Sequence, residues 1–223
     1  MPHVVLIMGF GVFGKFPGAG DFVRSGLAQG FVEPWDAWLQ RELPGARAAL
    51  GQRWQGCYLS APIWRFSLAP GVAGPSAMLG VLMPSVDRVG RQFPLTLAAP
   101  VSSPAAPPDH VALHLAAHVI FGALEDAALA MLDDRPLSEL QASLAAIDLP
   151  ATPVLSGNGA LRIDHADDPA PALAAAHLGP GLPALFTARL DSGFRLLRPA
   201  GLPRAAVFTA LFDTEAPVWS AAA

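Results

Sequence analysis

The stretch "IMGFGVFGKFPGAGDF", residues 7–22, decides between two classes of fold. Gly9, Gly11 and Gly14 follow an apolar run with the spacing G-x-G-x-x-G, which is typical of a turn that binds a dinucleotide. The segment from Gly9 to Lys15 also has the spacing G-x-x-x-x-G-K of a phosphate-binding loop. Both motifs require a helix that begins at the glycines and directs its free amides at the phosphates.

The residues after these glycines argue against such a helix. Pro17 disfavours the helical conformation at Phe16, and a glycine-rich run follows it. Phe16 also stands where a phosphate loop carries the hydroxyl residue that holds magnesium. We therefore expect a strand that turns here, with Lys15 and Asp21 paired near the turn and no cofactor bound. The alternative hypothesis is a nucleotide-binding enzyme that uses the Gly9 to Lys15 motif.

The next part of the chain predicts a helix followed by several strands. Residues 31–50 have helical periodicity, as one helix or as a kinked pair, with Trp35 and Trp38 on one face. Four short β-like runs follow, "QGCYLS", "WRFSLA", "AMLGVLMPS" and "FPLTLAA". Because the pattern shows no helix between these runs, they should pair antiparallel.

The second half of the chain adds helices and two further hairpins. Residues 110–132 and 136–147 have helical patterns, and a short helix closes the sequence. Hairpins are predicted with turns at Asn158-Gly159 and at 191–193. The order of elements predicts an α+β fold, a central and largely antiparallel sheet covered by helices, similar to longin or roadblock adaptors. We divide it into a domain of residues 1–148 and a C-terminal extension of residues 149–223 packed on it.

Composition narrows the classes of function. The chain is 52% hydrophobic and 14% charged, against about 25% charged residues in an average soluble domain, so part of the surface is expected to be covered by a partner or in a homodimer. The net charge of -4 and the scattered basic residues argue against nucleic acid. A single cysteine, Cys57, fits the reducing cytoplasm. We expect no secretory leader and no membrane span, since charged and histidine residues interrupt the longest apolar runs.

Histidine and cysteine residues offer little catalytic chemistry. His110, His114 and His118 recur every four residues and share a helical face, a spacing that permits zinc binding. The helix is otherwise apolar and no acid lies between the first two, so we expect no metal. Cys57 has no neighbouring cue for activation, and no G-x-S-x-G motif occurs. The sequence therefore favours a binding protein over an enzyme.

Several separate motifs occur in order over about residues 11–99. They are Gly14-Lys15, Pro17, Gly20-Asp21-Phe22, Trp35-Asp36, Trp38-Leu39, Trp64-Arg65-Phe66, Pro70-Gly71, Pro84-Ser85, Asp87-Arg88-Val89-Gly90-Arg91 and Phe93-Pro94-Leu95. Together these motifs resemble the TagF (ImpM) family of type VI secretion accessory proteins. The resemblance implies a cytoplasmic, non-enzymatic protein that represses assembly or firing of the secretion system after translation. The partner it implies is a forkhead-associated scaffold protein.

Two interpretations of the motif residues remain open. Asp87, Arg88 and Arg91 can form an ion-paired turn in which Gly90 has a positive φ, or their arginines can recognise carboxylates or phosphorylated residues. The tryptophans can be core residues or interface anchors. The candidate partner-binding residues are Lys15, Asp21, Trp64, Arg65, Asp87, Arg88 and Arg91, and the candidate structural residues are Gly14, Pro17, Gly20, Trp35, Asp36, Trp38, Gly90 and Pro94.

Overall fold

A computed structural model describes residues 3–7, 9–102, 113–114, 117–147, 152–154, 182–191 and 193–219. Within these residues nine strands form one sheet, and every pairing between them is antiparallel. The strands are β1 His3–Ile7, β2 Gly11–Gly14, β3 Val23–Ser25, β4 Trp64–Leu68, β5 Ala77–Met83, β6 Leu95–Ser102, β7 Thr152–Val154, β8 Ala184–Leu190 and β9 Gly193–Leu197. The α+β fold predicted from the sequence is thereby confirmed.

Helices cover both faces of this sheet. They are α1 Gln29–Leu50, α2 Trp54–Ser60, α3 His118–Ala130, α4 Leu137–Ala145 and α5 Ala205–Thr209, with short 3₁₀ turns at Gly51–Arg53, Met131–Asp133 and Pro217–Trp219. One apolar core lies between the sheet and α1, α2 and α5, and a second lies between the sheet and α3 and α4. The described part of the molecule is thus a three-layer arrangement with the sheet in the middle.

The strand order is β3-β2-β6-β5-β4-β8-β9. Strand β1 pairs with the last residues of β6, along the same edge that pairs with β2, and β7 pairs with β1. Strand β5 lies near the centre and all seven of its residues are buried. Its side chains alternate between the two cores, with Met78 and Leu82 in the first and Leu79 and Val81 in the second. Each fully buried side chain of this kind stabilises the fold by about 1.5–3 kcal/mol, so the period of two directs the strand to bind both layers.

Helix α1 is continuous although Pro34 and Pro44 lie inside it. Its buried face includes Trp35 and Trp38 before Pro44 and Leu50 after it, all in one core. Packing of both halves on the same sheet face outweighs the backbone hydrogen bond that a proline removes. Of the two predicted alternatives, the structure has the single helix.

One predicted strand is wrong. The run "QGCYLS" at 55–60 belongs to helix α2, not to a strand. Trp54 and Tyr58, four residues apart, are the buried residues of α2, and both rings pack on Phe212 with centroids 5.5 and 5.2 Å away. This helical spacing is stabilised by a residue from the far end of the chain, a contact that local sequence patterns do not reveal.

The last part of the chain completes the same sheet. Strand β8 pairs with β4, and the predicted hairpin turns between β8 and β9 at Gly193, which has a φ of 125°. Trp38 and Trp64 donate their indole N–H to the carbonyl oxygens of Pro203 and Leu211 at 2.6 and 2.7 Å. The predicted turn at Asn158-Gly159 and His110 lie outside the described residues. In the described part of the chain, no helix combines the length and apolarity needed to cross a membrane.

Candidate functional site

Two loops that carry most of the motif residues meet at one surface. The hairpin loop, residues 15–22, joins β2 to β3, and the arginine loop, residues 84–94, joins β5 to β6. The Arg88 backbone N–H donates to the Ala19 carbonyl at 3.2 Å, and its Nη2 donates to the Gly18 carbonyl at 2.9 Å. Arg91 Nη2 donates to the Gly20 carbonyl at 2.9 Å. The arginine loop therefore holds the hairpin loop by main-chain and guanidinium hydrogen bonds, and together they form what we call the loop surface.

Asp87 is the centre of this junction, and its side chain is fully buried. Its Oδ2 accepts hydrogen bonds from Lys15 Nζ at 3.0 Å and from Arg91 Nε at 2.6 Å. Its Oδ1 accepts from the backbone N–H of Val89 at 3.1 Å and of Arg91 at 2.9 Å. Both carboxylate oxygens are satisfied, as a buried charge requires.

This environment keeps the carboxylate ionised. Burial by itself raises the pKa of Asp87, but the four hydrogen bonds to its two oxygens outweigh burial and hold that pKa well below its usual range. Asp87 is therefore negatively charged at neutral pH.

The predicted pair between Lys15 and Asp21 is wrong. Lys15 directly follows β2 and extends beneath the hairpin loop to Asp87, where only 7% of its side chain is exposed. Its ammonium lies 4.7 Å from the centroid of the Phe22 ring, a cation–π contact. Asp21 is exposed, and its carboxylate accepts the backbone N–H of Phe22 at 2.8 Å. Lys15 therefore pairs with a buried aspartate of the other loop instead of with its near neighbour in the sequence.

The backbone conformation favours glycine at two motif positions, Gly14 and Gly90. Gly14 has a φ of 126°, and a Cβ at this position would lie 2.1 Å from the Pro94 carbonyl oxygen. Gly90 has a φ of 82°, and its N–H donates to the Asp87 carbonyl at 2.9 Å, so the turn has the predicted positive φ. Of the two arginines predicted to pair with Asp87, Arg91 does so, whereas Arg88 binds the Gly18 carbonyl. Pro17 lies in the turn closed by the Ala19 N–H on the Phe16 carbonyl at 3.0 Å.

Two aromatic residues of helix α2 form hydrogen bonds with the arginine loop. The Tyr58 hydroxyl donates to the Ser85 carbonyl at 2.8 Å and accepts the Ser85 N–H at 3.1 Å, while Trp54 Nε1 donates to Gln92 Oε1 at 2.6 Å. Burial raises the pKa of Tyr58 far above its usual range, so its hydroxyl remains a donor. These supports were missed by the sequence analysis because their segment was predicted as a strand, although the aromatic residues four apart were the available signal.

Other candidate residues lie inside the fold. Trp64, 1% exposed, belongs to the core, so its side chain is not accessible to a partner. Arg65 donates from Nε and Nη2 to the carboxylate of Glu125 on α3 at 2.6 and 2.8 Å. These contacts connect β4 to the helical layers instead of forming part of the loop surface.

The motif residues of α1 are divided between core and surface roles. Trp35 is fully buried and donates its indole N–H to Thr96 Oγ1 at 2.9 Å. Trp38 is the second buried indole of this face, with ring centroids 4.6 Å apart between the two. Asp36, on the other side of the helix, accepts a hydrogen bond from Gln40 at 2.8 Å. For the tryptophans, the core interpretation is confirmed.

The histidines of the apolar helix are not brought together as a chelating set in the described residues. His114 is buried, with its ring nitrogens 3.1 Å from Ser67 Oγ and 2.8 Å from Thr187 Oγ1. His118 is exposed at the first turn of α3. Among the residues that the structure describes, no group of three or more metal-ligating side chains could hold an ion.

The glycine motif lies in a hairpin. After Lys15 the chain turns through residues 17–20 and enters β3, which pairs with β2 from Val12 to Gly14. The first helix begins only at Gln29. The helix N-terminus that a nucleotide phosphate would need is therefore replaced by a loop and an antiparallel strand.

Comparison with known proteins is consistent with the motif analysis. Residues 11–147 match the family model described as "TagF N-terminal domain, Type VI secretion system-associated". The chain is also similar to the crystal structure of PA0076 from Pseudomonas aeruginosa PAO1, with 37% sequence identity and a TM-score of 0.73. That similarity covers 91% of this chain and 93% of the other. No curated protein gives a significant match.

Proposed function

The chain belongs to the TagF family of proteins associated with the type VI secretion system, and on this premise we propose that it is a non-enzymatic, cytoplasmic negative regulator of that system. It acts after translation by binding a forkhead-associated scaffold protein and preventing its productive assembly. The observation that carries this proposal is the loop surface, where the arginine loop and the hairpin loop, both rich in the matching motifs, are clasped together.

The loop surface has the properties of a preformed binding site. The buried network around Asp87 fixes the arginine loop from within, and Tyr58 fixes its base. The side chains of Arg88 and Arg91 remain exposed above this network. Because a fixed surface loses less conformational entropy on association, it binds more tightly than a mobile loop with the same residues.

Catalysis is not supported by the chemistry of this site. The ionised Asp87 is already paired with two cations, and the Lys15 ammonium is covered by Phe22. A general base or nucleophile needs access to the substrate atom with which it reacts. The exposed side chains of the loop surface are therefore suited to binding a partner, and the buried charges of Lys15 and Asp87 hold the two loops together.

The test is capture of the scaffold and a secretion assay. The tagged chain is used to capture the forkhead-associated protein from host lysate, and secretion is measured on overexpression. We expect capture and reduced secretion with the natural chain and with Arg198→Glu, an exposed charge reversal after β9. Absence of the scaffold among the captured proteins, together with normal secretion, would overturn the proposal.

A further inference from the structure

We propose that the loop surface recognises an extended acidic segment that carries one apolar anchor residue. The inference rests on the proposed function for the identity of the partner that contains this segment, and on the loop surface itself for its chemistry. It commits the site to carboxylate side chains of a protein partner.

The charge of the loop surface is opposite to that of the chain. Residues 15–22 and 84–94 contain three basic side chains and two acidic ones, whereas the whole chain has a net charge of -4. Lys15 and Asp87 are buried and neutralise each other. The exposed charges of the loop surface are therefore Arg88 and Arg91 against Asp21, and Arg24 is exposed on the adjoining strand β3. An acidic segment is therefore attracted to this surface and repelled from most of the rest of the molecule.

The two loop arginines are held in place but retain free donors. Each guanidinium has five N–H donors. In the described contacts, the side chain of Arg88 donates once, from Nη2 to the Gly18 carbonyl, and that of Arg91 donates from Nε to Asp87 and from Nη2 to the Gly20 carbonyl. The remaining N–H groups are available to carboxylates. Ordering a free arginine on binding costs conformational entropy, and these contacts reduce that cost in advance.

The two guanidiniums are anchored at neighbouring positions of the hairpin loop. They bind the carbonyls of Gly18 and Gly20, which are two residues apart and hence no more than about 7 Å apart along the backbone. In an extended segment, side chains on one face also recur every two residues, or about 7 Å. Carboxylates at alternate positions of a partner strand can therefore reach both arginines.

An apolar contact lies next to the arginines. Val89, between them in sequence, is 72% exposed, and Phe22 is 46% exposed. The Phe22 ring is held edge-on to Phe93 with centroids 4.7 Å apart. A large apolar side chain in the partner would cover Val89 beside the arginines, and such combinations of apolar anchor and arginine dominate binding energies.

The arrangement favours carboxylates over a phosphorylated residue. A phosphate group binds best where several free donors converge on one point. Here Arg88 and Arg91 are fixed at separate carbonyls, and the nearby ammonium of Lys15 is committed to Asp87. Because each guanidinium is held at its own carbonyl and Lys15 is not free to join them, we expect each arginine to bind one carboxylate.

The experiment measures binding of four fluorescent twelve-residue peptides to the full chain by anisotropy. In the first peptide Glu alternates with Ser around one central Leu. In the second peptide Gln replaces every Glu, and in the third Ser replaces the Leu. The fourth is the Gln peptide with one phosphothreonine. We expect the first peptide to bind at least tenfold more tightly than each of the others at 50 mM salt, and its affinity to fall as the salt is raised.

Matched variants locate the contact. Arg88→Glu should weaken binding of the acidic peptide at least tenfold, and Val89→Ser should weaken it about threefold. Arg198→Glu makes the same charge change directly after β9, the edge strand at the other end of the sheet from β3, and should leave binding unchanged. Circular dichroism and thermal unfolding establish that each variant is folded, and Arg88→Gln provides a milder substitution if Arg88→Glu is not.

The proposal is overturned by equal affinity for the Glu and Gln peptides, by tighter binding of the phosphothreonine peptide, or by undiminished binding in both Arg88 variants. Failure of this inference is distinguishable from failure of the proposed function. If the scaffold is captured by the natural chain and by the Arg88 variants alike, the function stands and the acidic recognition fails. If the acidic peptide binds but no scaffold is captured, the recognition stands and the proposed function fails.

Discussion

Lys15 Nζ lies 3.0 Å from Asp87 Oδ2, and the side chains of the two residues are 7% and 0% exposed. The two residues are 72 positions apart in the chain, so this ion pair is a tertiary contact between the hairpin loop and the arginine loop. A buried pair of this kind adds little net stability compared with an apolar pair, but removing one partner leaves a buried charge that is poorly compensated.

Replacing Lys15 by Met should therefore destabilise the fold by about 3 kcal/mol, because Asp87 loses one of its two cationic partners in a buried site. Urea unfolding measures this change. Arg135→Met is the control, since its pair with Glu139 is about half exposed and should contribute less than about 1 kcal/mol. A Lys15→Met variant as stable as the control would show that the pair does not hold the loops.

Stability should fall in acid as Asp87 takes up a proton. Its pKa in the folded state is below the value of about 3.9 for an unfolded aspartate, so the unfolded chain binds the proton first as the pH falls. The stabilisation is complete above about pH 5, begins to fall as the unfolded aspartate is protonated near pH 4, and continues to fall until the pH reaches the lowered pKa of the folded state. Thermal unfolding from pH 7 to pH 2 should show a steeper acid decline for the natural chain than for Asp87→Asn, and parallel curves would contradict the assignment.

Gly14→Ala should destabilise the chain by about 3 kcal/mol or more, because the new Cβ would clash with the Pro94 carbonyl oxygen and the residue has a positive φ. Gly122→Ala is the matched control within α3, where a Cβ meets nothing within 4 Å. It should stabilise the chain by about 0.5–1 kcal/mol. Chemical denaturation of both variants tests the difference in sign.

Tyr58→Phe should cost about 1–3 kcal/mol, because the Ser85 N–H then loses its buried acceptor. The Ser85 carbonyl keeps the N–H of Phe93, at 3.1 Å, so only one group becomes unpaired. The same variant should bind the acidic peptide less tightly, since the base of the arginine loop is loosened. Ser60→Ala removes only an exposed hydroxyl bond on the same helix and should change neither quantity appreciably. An unaltered unfolding midpoint in Tyr58→Phe would show that this support is dispensable.

NAD, ATP and GTP should not raise the melting temperature, because a loop and a strand follow Lys15 where a phosphate-binding helix would begin. A ligand at a hundred times its dissociation constant adds about 2.7 kcal/mol of stability, which thermal shift detects readily. A reproducible shift with any of the three would revive the nucleotide-binding hypothesis.

Some parts of the fold could be predicted from the sequence, because residues close together in the chain specify them. The short β-like runs "AMLGVLMPS" and "FPLTLAA" predicted antiparallel strands, and Gly90 between them predicted a turn with positive φ; both are present. The spacing of Trp35 and Trp38 predicted a buried helical face for the same reason. In each case the residues that specify the structure lie within a few positions of one another.

Contacts between distant segments could not be predicted in this way. The partner of Lys15 is 72 residues away, and the helical state of "QGCYLS" depends on Phe212. Pairing of β4 with β8 likewise joins segments that periodicity does not relate. For the candidate site, the sequence therefore named Lys15, Asp87, Arg88 and Arg91 as candidates, whereas their pairing and burial required the three-dimensional arrangement.

The order of synthesis gives the β4–β8 pairing a consequence for biogenesis. Trp64 on β4 needs the Leu211 carbonyl, which the ribosome adds 147 residues later, and Trp38 needs the Pro203 carbonyl, 165 residues later. While these acceptors are still untranslated, β4 has an unpaired edge and two indoles lack their native acceptors. The growing polypeptide thus exposes an aggregation-prone strand until its final hairpin emerges, and chaperone protection during translation matters most in that interval.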